Sequence, residues 1–366
     1  MKDFAIILTS GLFNPRNAKT AFGLLRKSEK YKILAVIDKN YAGKDAGELV
    51  QGKNLGIPIL PSIKNFEEYH SSKLKIDPAG SLKGIYAIIG VATSGGLIPE
   101  DLRAELLESI SYGMHIVNGL HSCMIDDPEI VKKANKNHSK LLDVRKPKSI
   151  KDYKFWTGEI LKVKAPRIAL LGTDCNLGKR TSGNWLKDVC CENGIITEMI
   201  FTGQTGKIQG GKYGFILDST PNDFVSGELE SAIVKCDQIE NPDLILLEGQ
   251  SSLRNPSGPC GSELLCSAMA KGVILQYAPK QKYFLADYDR RILSIPPIEE
   301  ELELIKLYGS KTLALTLNSL NLSLKELYSQ QKKLESLLGI PVFCPKEEGV
   351  EQILPIVKEY LKTQTS

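Results

Sequence analysis

Residues 167–186 read RIALLGTDCNLGKRTSGNWL, and they decide how the rest of the chain is understood. Arg167–Leu171 is a short apolar run of the kind that forms a buried strand. Gly172 and Gly178 bound a polar loop, Lys179 follows, and Ser182–Glu192 has helical spacing. A strand that feeds a glycine-bounded loop and then a helix is the architecture of a phosphate cradle. The loop and the helix N-terminus supply backbone N–H groups, and a lysine neutralises the anion. The expected phosphate or nucleotide contacts are Gly172, Thr173, Asp174, Cys175, Asn176, Gly178, Lys179, Arg180 and Thr181. The pattern departs from the strict G-x-x-x-x-G-K-[ST] loop in two places. Five residues separate the glycines, and Arg180 stands where a hydroxyl would help hold magnesium, with Thr181 one position later.

Two further stretches lie downstream. PDLILLEGQSSLRNPSG, residues 242–258, ends an apolar strand in Glu248. The carboxyl edge of an open α/β sheet is where ligands bind, so Glu248 is a candidate to hold a metal-bound water or to accept a proton. With Thr181 it forms the metal pair that an ATP and Mg2+ chemistry needs. Arg254 is a candidate clamp for a carboxylate or phosphate. A cap for Glu248 and a surface position for Arg254 are the structural alternatives. FTGQTGKIQGGKYGFILDSTPNDFVSGELESAI, residues 201–233, offers two glycine-bounded turns with Thr202, Gln204 and Thr205 as neutral substrate-facing groups. Asp223 is a second candidate base, although a carboxylate there also suits a helix start. Asn318, ending a later strand, is a candidate adenine reader.

The preceding half alternates apolar runs, such as Phe4–Thr9, Ile33–Asp38 and Ile85–Gly90, with amphipathic segments such as Glu100–Ile110. This alternation implies a mainly parallel, doubly wound sheet. Ser94 and Gly95, after the strand ending at Gly90, form a candidate substrate-binding turn. Asp38 is placed like an acidic partner for a ribose hydroxyl, but G-x-G-x-x-G is absent. His115, Asn118 and His121 lie near Asp126 and Asp127; a metal site and a satisfied polar strand end both fit them. The polar, basic run DVRKPKSIKDYKFWTGEILKVKAP reads as a solvated linker. The fold expected is therefore α/β with two doubly wound domains, 1–150 and 151–366, the second containing the P-loop.

Composition narrows the class. The 366 residues are 42% hydrophobic and 25% charged, the mix of an ordinary globular protein. No apolar run approaches the ~20 residues that span a bilayer. The opening MKDFAIILTSGLFNPRNAK has no small-residue cleavage site and reads as a first strand. The 47 basic and 43 acidic residues are dispersed, which argues against a nucleic-acid binder. The eight cysteines show no paired C-x-x-C spacing, which points away from zinc and towards reduced thiols. A cytoplasmic protein acting on small molecules, away from membranes and nucleic acid, is expected.

The loop wording GTD-x-x-x-GK resembles that of dethiobiotin synthetase and its relatives. More broadly, GTDCNLGKRT, FTGQTGKIQGGKYG, DFVSGELE and LLEGQSSLRNP are similar to motifs of the D-glutamate N-acetyltransferase (DgcN-like) family. So are AVIDKNYAGKDAGE, GVATSGGLIPEDLR, GMHIVNGLHSCMIDDPE and LLDVRKP in the first half. The resemblance covers nearly the whole chain. It implies a Rossmann-like domain followed by a P-loop domain, assembly as a homo-oligomer, and acetyl transfer from acetyl-CoA to the amine of a small amino acid, D-glutamate or a similar acceptor. The chain departs from the family where a His-Pro pair and a Leu-His-Gly are expected: Asn255-Pro256 and Leu265-Cys266-Ser267 stand there. In the implied transfer, Glu248 is the first candidate base and Asp223 the second. The rival is an ATP/Mg2+-dependent enzyme of the dethiobiotin synthetase type, and a third class is a nucleotide-binding regulatory protein.

Overall fold

Leu244–Glu248 is buried along its whole length, the mark of a strand covered on both faces in a parallel sheet. The computed structural model describes residues 2–74, 82–285 and 291–364. It divides into two compact units, each built on such a sheet: Met1–Lys148 with Gly203–Gly211, and Ser149–Thr202 with Lys212–Ser366.

In the first unit the chain runs β1 (Asp3–Leu8), α1 (Lys19–Arg26), β2 (Tyr31–Ile37), α2 (Ala46–Gln51), β3 (Ile59–Leu60), α3 (Ile63–Tyr69), β4 (Tyr86–Ile89), α4 (Glu100–Ser111), β5 (His115–Asn118), α5 (Pro128–Lys136) and β6 (Leu141–Asp143). The sheet order is β3-β2-β1-β4-β5-β6, all parallel. The chain therefore changes direction across the sheet between β1 and β4. Helix starts follow local chemistry. Asp127 caps α5 through Glu129 and Ile130 N–H, and Pro128 fills the first turn, where no N–H is needed.

The second unit holds β7 (Arg167–Gly172), α6 (Lys179–Glu192) and β8 (Thr197–Phe201). The next helix, α7 (Gln204–Gln209), belongs to the first unit. The chain then returns through β9 (Tyr213–Gly214), α8 (Asn222–Glu240), β10 (Leu244–Glu248), α9 (Ser262–Cys266), β11 (Gly272–Tyr277), α10 (Ile298–Leu307), β12 (Lys311–Leu317), α11 (Leu324–Leu338), β13 (Val342–Phe343), α12 (Pro345–Glu348) and α13 (Leu354–Gln364). Its parallel sheet is ordered β13-β12-β11-β7-β10-β8-β9. Alternate residues of β7 enter different cores: Ala169 and Leu171 one, Ile168 and Leu170 the other. That is the two-sided burial expected of a sheet between helical layers. Pairing places Glu248 beside Leu170 and Gln276 beside Gly172, so the ends of β10 and β11 flank the end of β7.

Three sequence expectations change here. The glycine-bounded turn at Thr202–Gly206 is mostly helix: Gly203 in extended backbone starts α7, and Gly210 at φ +105° ends it. The helix start that suits Asp223 opens a long helix, Asn222–Glu240, where the sequence spacing predicts only Ser226–Ile233. The basic segment read as a solvated linker is pinned to that helix. Glu228 accepts Lys154 N–H at 3.1 Å, and Glu230 accepts Thr157 N–H at 2.6 Å and Ile160 N–H at 3.1 Å. Gly227 is what allows the approach, since a Cβ there would sit 2.1 Å from the Lys154 carbonyl oxygen. Among the described residues no helix is long and apolar enough to cross a membrane.

Candidate active site at the end of β7

The loop Thr173–Gly178 turns by left-handed backbone at Asn176 (φ +58°) and Gly178 (φ +98°), conformations that glycine adopts freely and asparagine tolerates. Gly178 starts α6 without any side-chain cap, which leaves first-turn N–H groups of a 14-residue helix available to an anion. Gly172 is favoured for a different reason. A Cβ there would come within 3.2 Å of the Gln276 carbonyl oxygen and within 3.3 Å of Lys179 Nζ.

Lys179 is buried, and its ammonium donates to the carbonyl oxygens of Asp174 at 2.7 Å and Ser251 at 2.9 Å. An ammonium has three N–H bonds, so one remains for a ligand. Burial pulls Lys179 below the ordinary lysine range, against the opposing pull of nearby acidic groups including Asp174 and Glu248. An anion at this point restores what desolvation removes. Ser251 presents its carbonyl from a left-handed backbone position (φ +43°), unusual for a serine.

Asp174 is wholly buried and satisfied by four donors. Its Oδ1 accepts Cys175 N–H at 2.7 Å and Asn255 Nδ2 at 2.9 Å; its Oδ2 accepts Gln281 Nε2 and Leu285 N–H, each at 2.6 Å. The Asp174 carboxylate therefore organises the loops, and a phosphate contact from this residue falls to its backbone N–H, because a carboxylate repels phosphate and has no donor to offer. Thr173 N–H donates to the Gln276 carbonyl at 3.0 Å, bracing the loop on β11. Cys175 and Asn176 lie at the loop's more open face, half-buried and exposed, and Thr181 is half-buried in the first turn of α6.

Arg180 Nη1 donates to Glu248 Oε2 at 2.5 Å, and Thr202 N–H donates to the same oxygen at 3.0 Å. Thr202 Oγ1 in turn donates to the Glu248 carbonyl at 2.8 Å. Thr202 is thus a buried tie between β8 and β10, not the substrate-facing group expected of it. Glu248 reaches the phosphate loop as the register demands, but as the partner of Arg180.

Other expected contacts lie elsewhere. Arg254 is engaged by the acidic first turn of α10, through Glu301 at 2.7 Å and Glu300 at 2.6 Å, so its guanidinium clamps the protein itself. Asn318 gives Nδ2 to the Leu177 carbonyl at 2.8 Å and accepts Leu320 N–H at 2.9 Å, which ties its amide to the loop and leaves one N–H and one lone pair. Asp223 is exposed in the first turn of α8, where the helix dipole favours a carboxylate.

Gln204 and Thr205 sit on α7 in the first unit. Arg145 donates to Gln204 Oε1 at 2.9 Å, and the Thr205 hydroxyl lies 3.2 Å from that of Thr20. In this structure both side chains fasten a helix. Ser94 and Gly95 form an exposed turn after β4 of that unit, with Gly95 at φ +65°. Asp38 accepts from Thr9 Oγ1, Phe13 N–H, Asn40 N–H and Tyr41 N–H, so the expected ribose contact is replaced by an internal brace. Asn118 and Asp127 are likewise occupied, by Asp143 at 2.7 Å and Arg103 at 2.7 Å. Beside Asp38, Glu105 accepts the Ser10 hydroxyl at 2.7 Å, and burial pushes its carboxyl up to about 7.

Sequence reading missed the supports of the loop: Asn255, Gln281 and the Ser251 carbonyl. Asn255 carried a signal, being the residue where the expected His-Pro is altered. Gln281 and Ser251 carried none, since a long-range hydrogen bond leaves no period in a sequence.

This geometry agrees with the comparisons. The domain of unknown function DUF1611, described as a P-loop domain, matches residues 154–354, and its Rossmann-like N-terminal partner matches residues 39–147. A relative from a Pseudoalteromonas species, named D-glutamate N-acetyltransferase, is 29% identical over 276 residues, covering 73% of this chain and 79% of its own. One from Tritonibacter scottomollicae with the same name is 28% identical over the same shares. The crystal structure of a DUF1611 family protein from Anabaena variabilis superposes with a TM-score of 0.85 at 25% identity, covering 98% of this chain and all of that one. A buried lysine at an uncapped helix start and a parallel sheet behind it are what a P-loop domain requires, and the chain belongs to the DUF1611 family.

Proposed function

We propose that this protein is an N-acetyltransferase that moves an acetyl group from acetyl-CoA to the amine of a small amino acid of the D-glutamate type. The observation that carries the reading is the alignment of 73% of the chain with proteins named D-glutamate N-acetyltransferase. The site supplies compatible chemistry. Coenzyme A bears a pyrophosphate and a 3′-phosphate, and Lys179 with the open N–H groups of α6 would hold one of them. The attacking amine must lose a proton, which requires a base at the cleft. Glu248 Oε2 is taken by Arg180 and Thr202, which leaves Oε1 as the atom to receive that proton. Asp223, exposed on α8, is the alternative base. Backbone N–H groups would stabilise the oxyanion formed at the thioester carbon. The reading includes small-molecule partners only and a cytoplasmic homo-oligomer, the latter testable by light scattering.

The deciding experiment incubates the whole protein with D- and L-amino acids and either acetyl-CoA or ATP with Mg2+, followed by mass spectrometry. An N-acetylated amino acid with free coenzyme A supports the proposal. ADP or a phosphorylated product in the ATP arm alone overturns it. Full turnover by Glu248→Gln at every pH would remove Glu248 as the base.

A further inference from the structure

P-loop folds ordinarily hold magnesium beside the phosphates, so the donor set here can be judged against that ion. Magnesium asks for oxygen ligands in octahedral array at about 2.0–2.1 Å, usually including one or two carboxylates. The position after the loop lysine carries the guanidinium of Arg180, a group with five donors and no acceptor. The carboxylate that β10 delivers to the loop, Glu248, is already bonded to that guanidinium at 2.5 Å. The loop's other carboxylate, Asp174, is enclosed by four donors. A cation on the remaining oxygen of Glu248, Oε1, would sit beside two fixed positive groups, Arg180 on the other oxygen and Lys179 in the same loop. The residues do not fit a magnesium ion.

We infer that the phosphate site works without magnesium, with Arg180 as the fixed positive charge in the metal's place and Glu248 as the residue that positions it. The ligand class is a phosphate-bearing anion in its metal-free form, such as a nucleotide pyrophosphate, and not a magnesium chelate. Arg180 is also suited to the task, since its planar fork matches phosphate oxygens and both its partner and its helix hold it in one place. The inference rests on the reading of the loop as a phosphate site and narrows what that site selects. It also separates the protein from enzymes that activate a substrate with Mg-ATP.

The test is calorimetry on the full-length protein with sodium pyrophosphate, ADP and coenzyme A, each titrated in excess magnesium and in excess EDTA. Pyrophosphate or ADP binding that is as tight in EDTA as in magnesium, or tighter, is expected. Arg180→Thr restores the hydroxyl and removes the charge; its affinity in EDTA should fall by about tenfold or more, the loss of one charge-assisted contact. Magnesium should then recover part of the affinity in that variant. Arg180→Lys, which keeps the charge and perturbs the fold less, should fall between the two.

Magnesium that tightens wild-type binding about tenfold overturns the inference, as does an Arg180→Thr variant that folds and binds normally in EDTA. No binding of any probe overturns it too, because the loop is then not a phosphate site. Magnesium-independent binding of pyrophosphate and ADP with none of coenzyme A upholds this inference and removes the acetyl-CoA reading.

Discussion

Lys179 and Asp174, both buried and five positions apart, are hydrogen-bonded through the aspartate's backbone carbonyl and not its carboxylate. The ammonium rests 2.7 Å from the Asp174 carbonyl oxygen, while the carboxylate takes N–H donors from Cys175, Asn255, Gln281 and Leu285. The acid therefore shapes the loop and leaves the lysine's charge for something that arrives from outside.

Asp174→Asn tests that division. The amide puts N–H hydrogens against two existing donors and removes the charge that strengthened the other bonds. The expected cost is roughly 2–4 kcal/mol, the scale for breaking a buried charged network. Gln281→Ala removes one donor of the four and should cost about 1 kcal/mol. Urea unfolding of both variants measures the difference; equal, negligible losses would show that Asp174 does not organise the loop.

Lys179 gives a pH dependence. Burial lowers its pKa from the ordinary 10.5, so the protonated form that attracts phosphate is lost at a lower pH than in an exposed lysine. Pyrophosphate affinity should weaken as pH rises through that depressed value. Lys179→Arg, whose guanidinium stays charged, should flatten the profile, and Lys179→Met should abolish binding. Affinity measured from pH 7 upward decides it.

Gly249 follows Glu248 on the strand edge, and its N–H donates to the Leu170 carbonyl at 3.0 Å. A Cβ at this position would lie 2.3 Å from that same carbonyl oxygen, a backbone atom that cannot swing aside. Gly249→Ala should therefore separate the ends of β7 and β10, costing about 1–3 kcal/mol and displacing Glu248 from Arg180. Thermal denaturation reads the first effect and loss of pyrophosphate binding the second.

The first unit offers an independent titration. Glu105 has a folded-state pKa of about 7 against its ordinary 4.5, raised first by burial and also by Asp38, with the Ser10 hydrogen bond opposing. Its neutral form is favoured by folding, so this contribution is complete below pH 4.5 and is lost as pH rises through about 7. Glu105→Gln cannot ionise. Its midpoint of thermal unfolding should match wild type near pH 4.5, pull ahead as pH rises to 7, and hold a constant lead beyond. A lead that is the same at every pH would exclude the titration.

The parallel sheets were legible because their strands are apolar runs buried on both faces: Ile245–Leu247 and Ala5–Leu8 need no partner sequence to be recognised. The strand–loop–helix of the P-loop domain was legible because Gly172, Gly178 and Lys179 each answer a local requirement of backbone or charge. Local reading failed where a side chain's partner lies far along the chain. Arg254 looked like a free clamp because Glu300 and Glu301 are more than forty residues away. Thr205 looked like a ligand contact because its partner, Thr20, is 185 residues earlier. Helix α1 was overlooked for a different reason, being eight residues long with no side-chain cap to announce it.

Helix α7 has a consequence for how the molecule is made. Ile208 on that helix is part of the first unit's core, and Gln209 Nε2 donates to the carbonyls of Gly23 and Lys27, each at 2.8 Å. The first 148 residues are therefore not a complete folding unit, although they contain every strand of their sheet. During synthesis the seat of Ile208 would stay uncovered until the ribosome has delivered residue 211. Cutting the gene near residue 150 would orphan α7 on the wrong fragment and leave both pieces with an exposed apolar scar. The two halves, though each has its own sheet, are stitched by the order in which the chain is laid down.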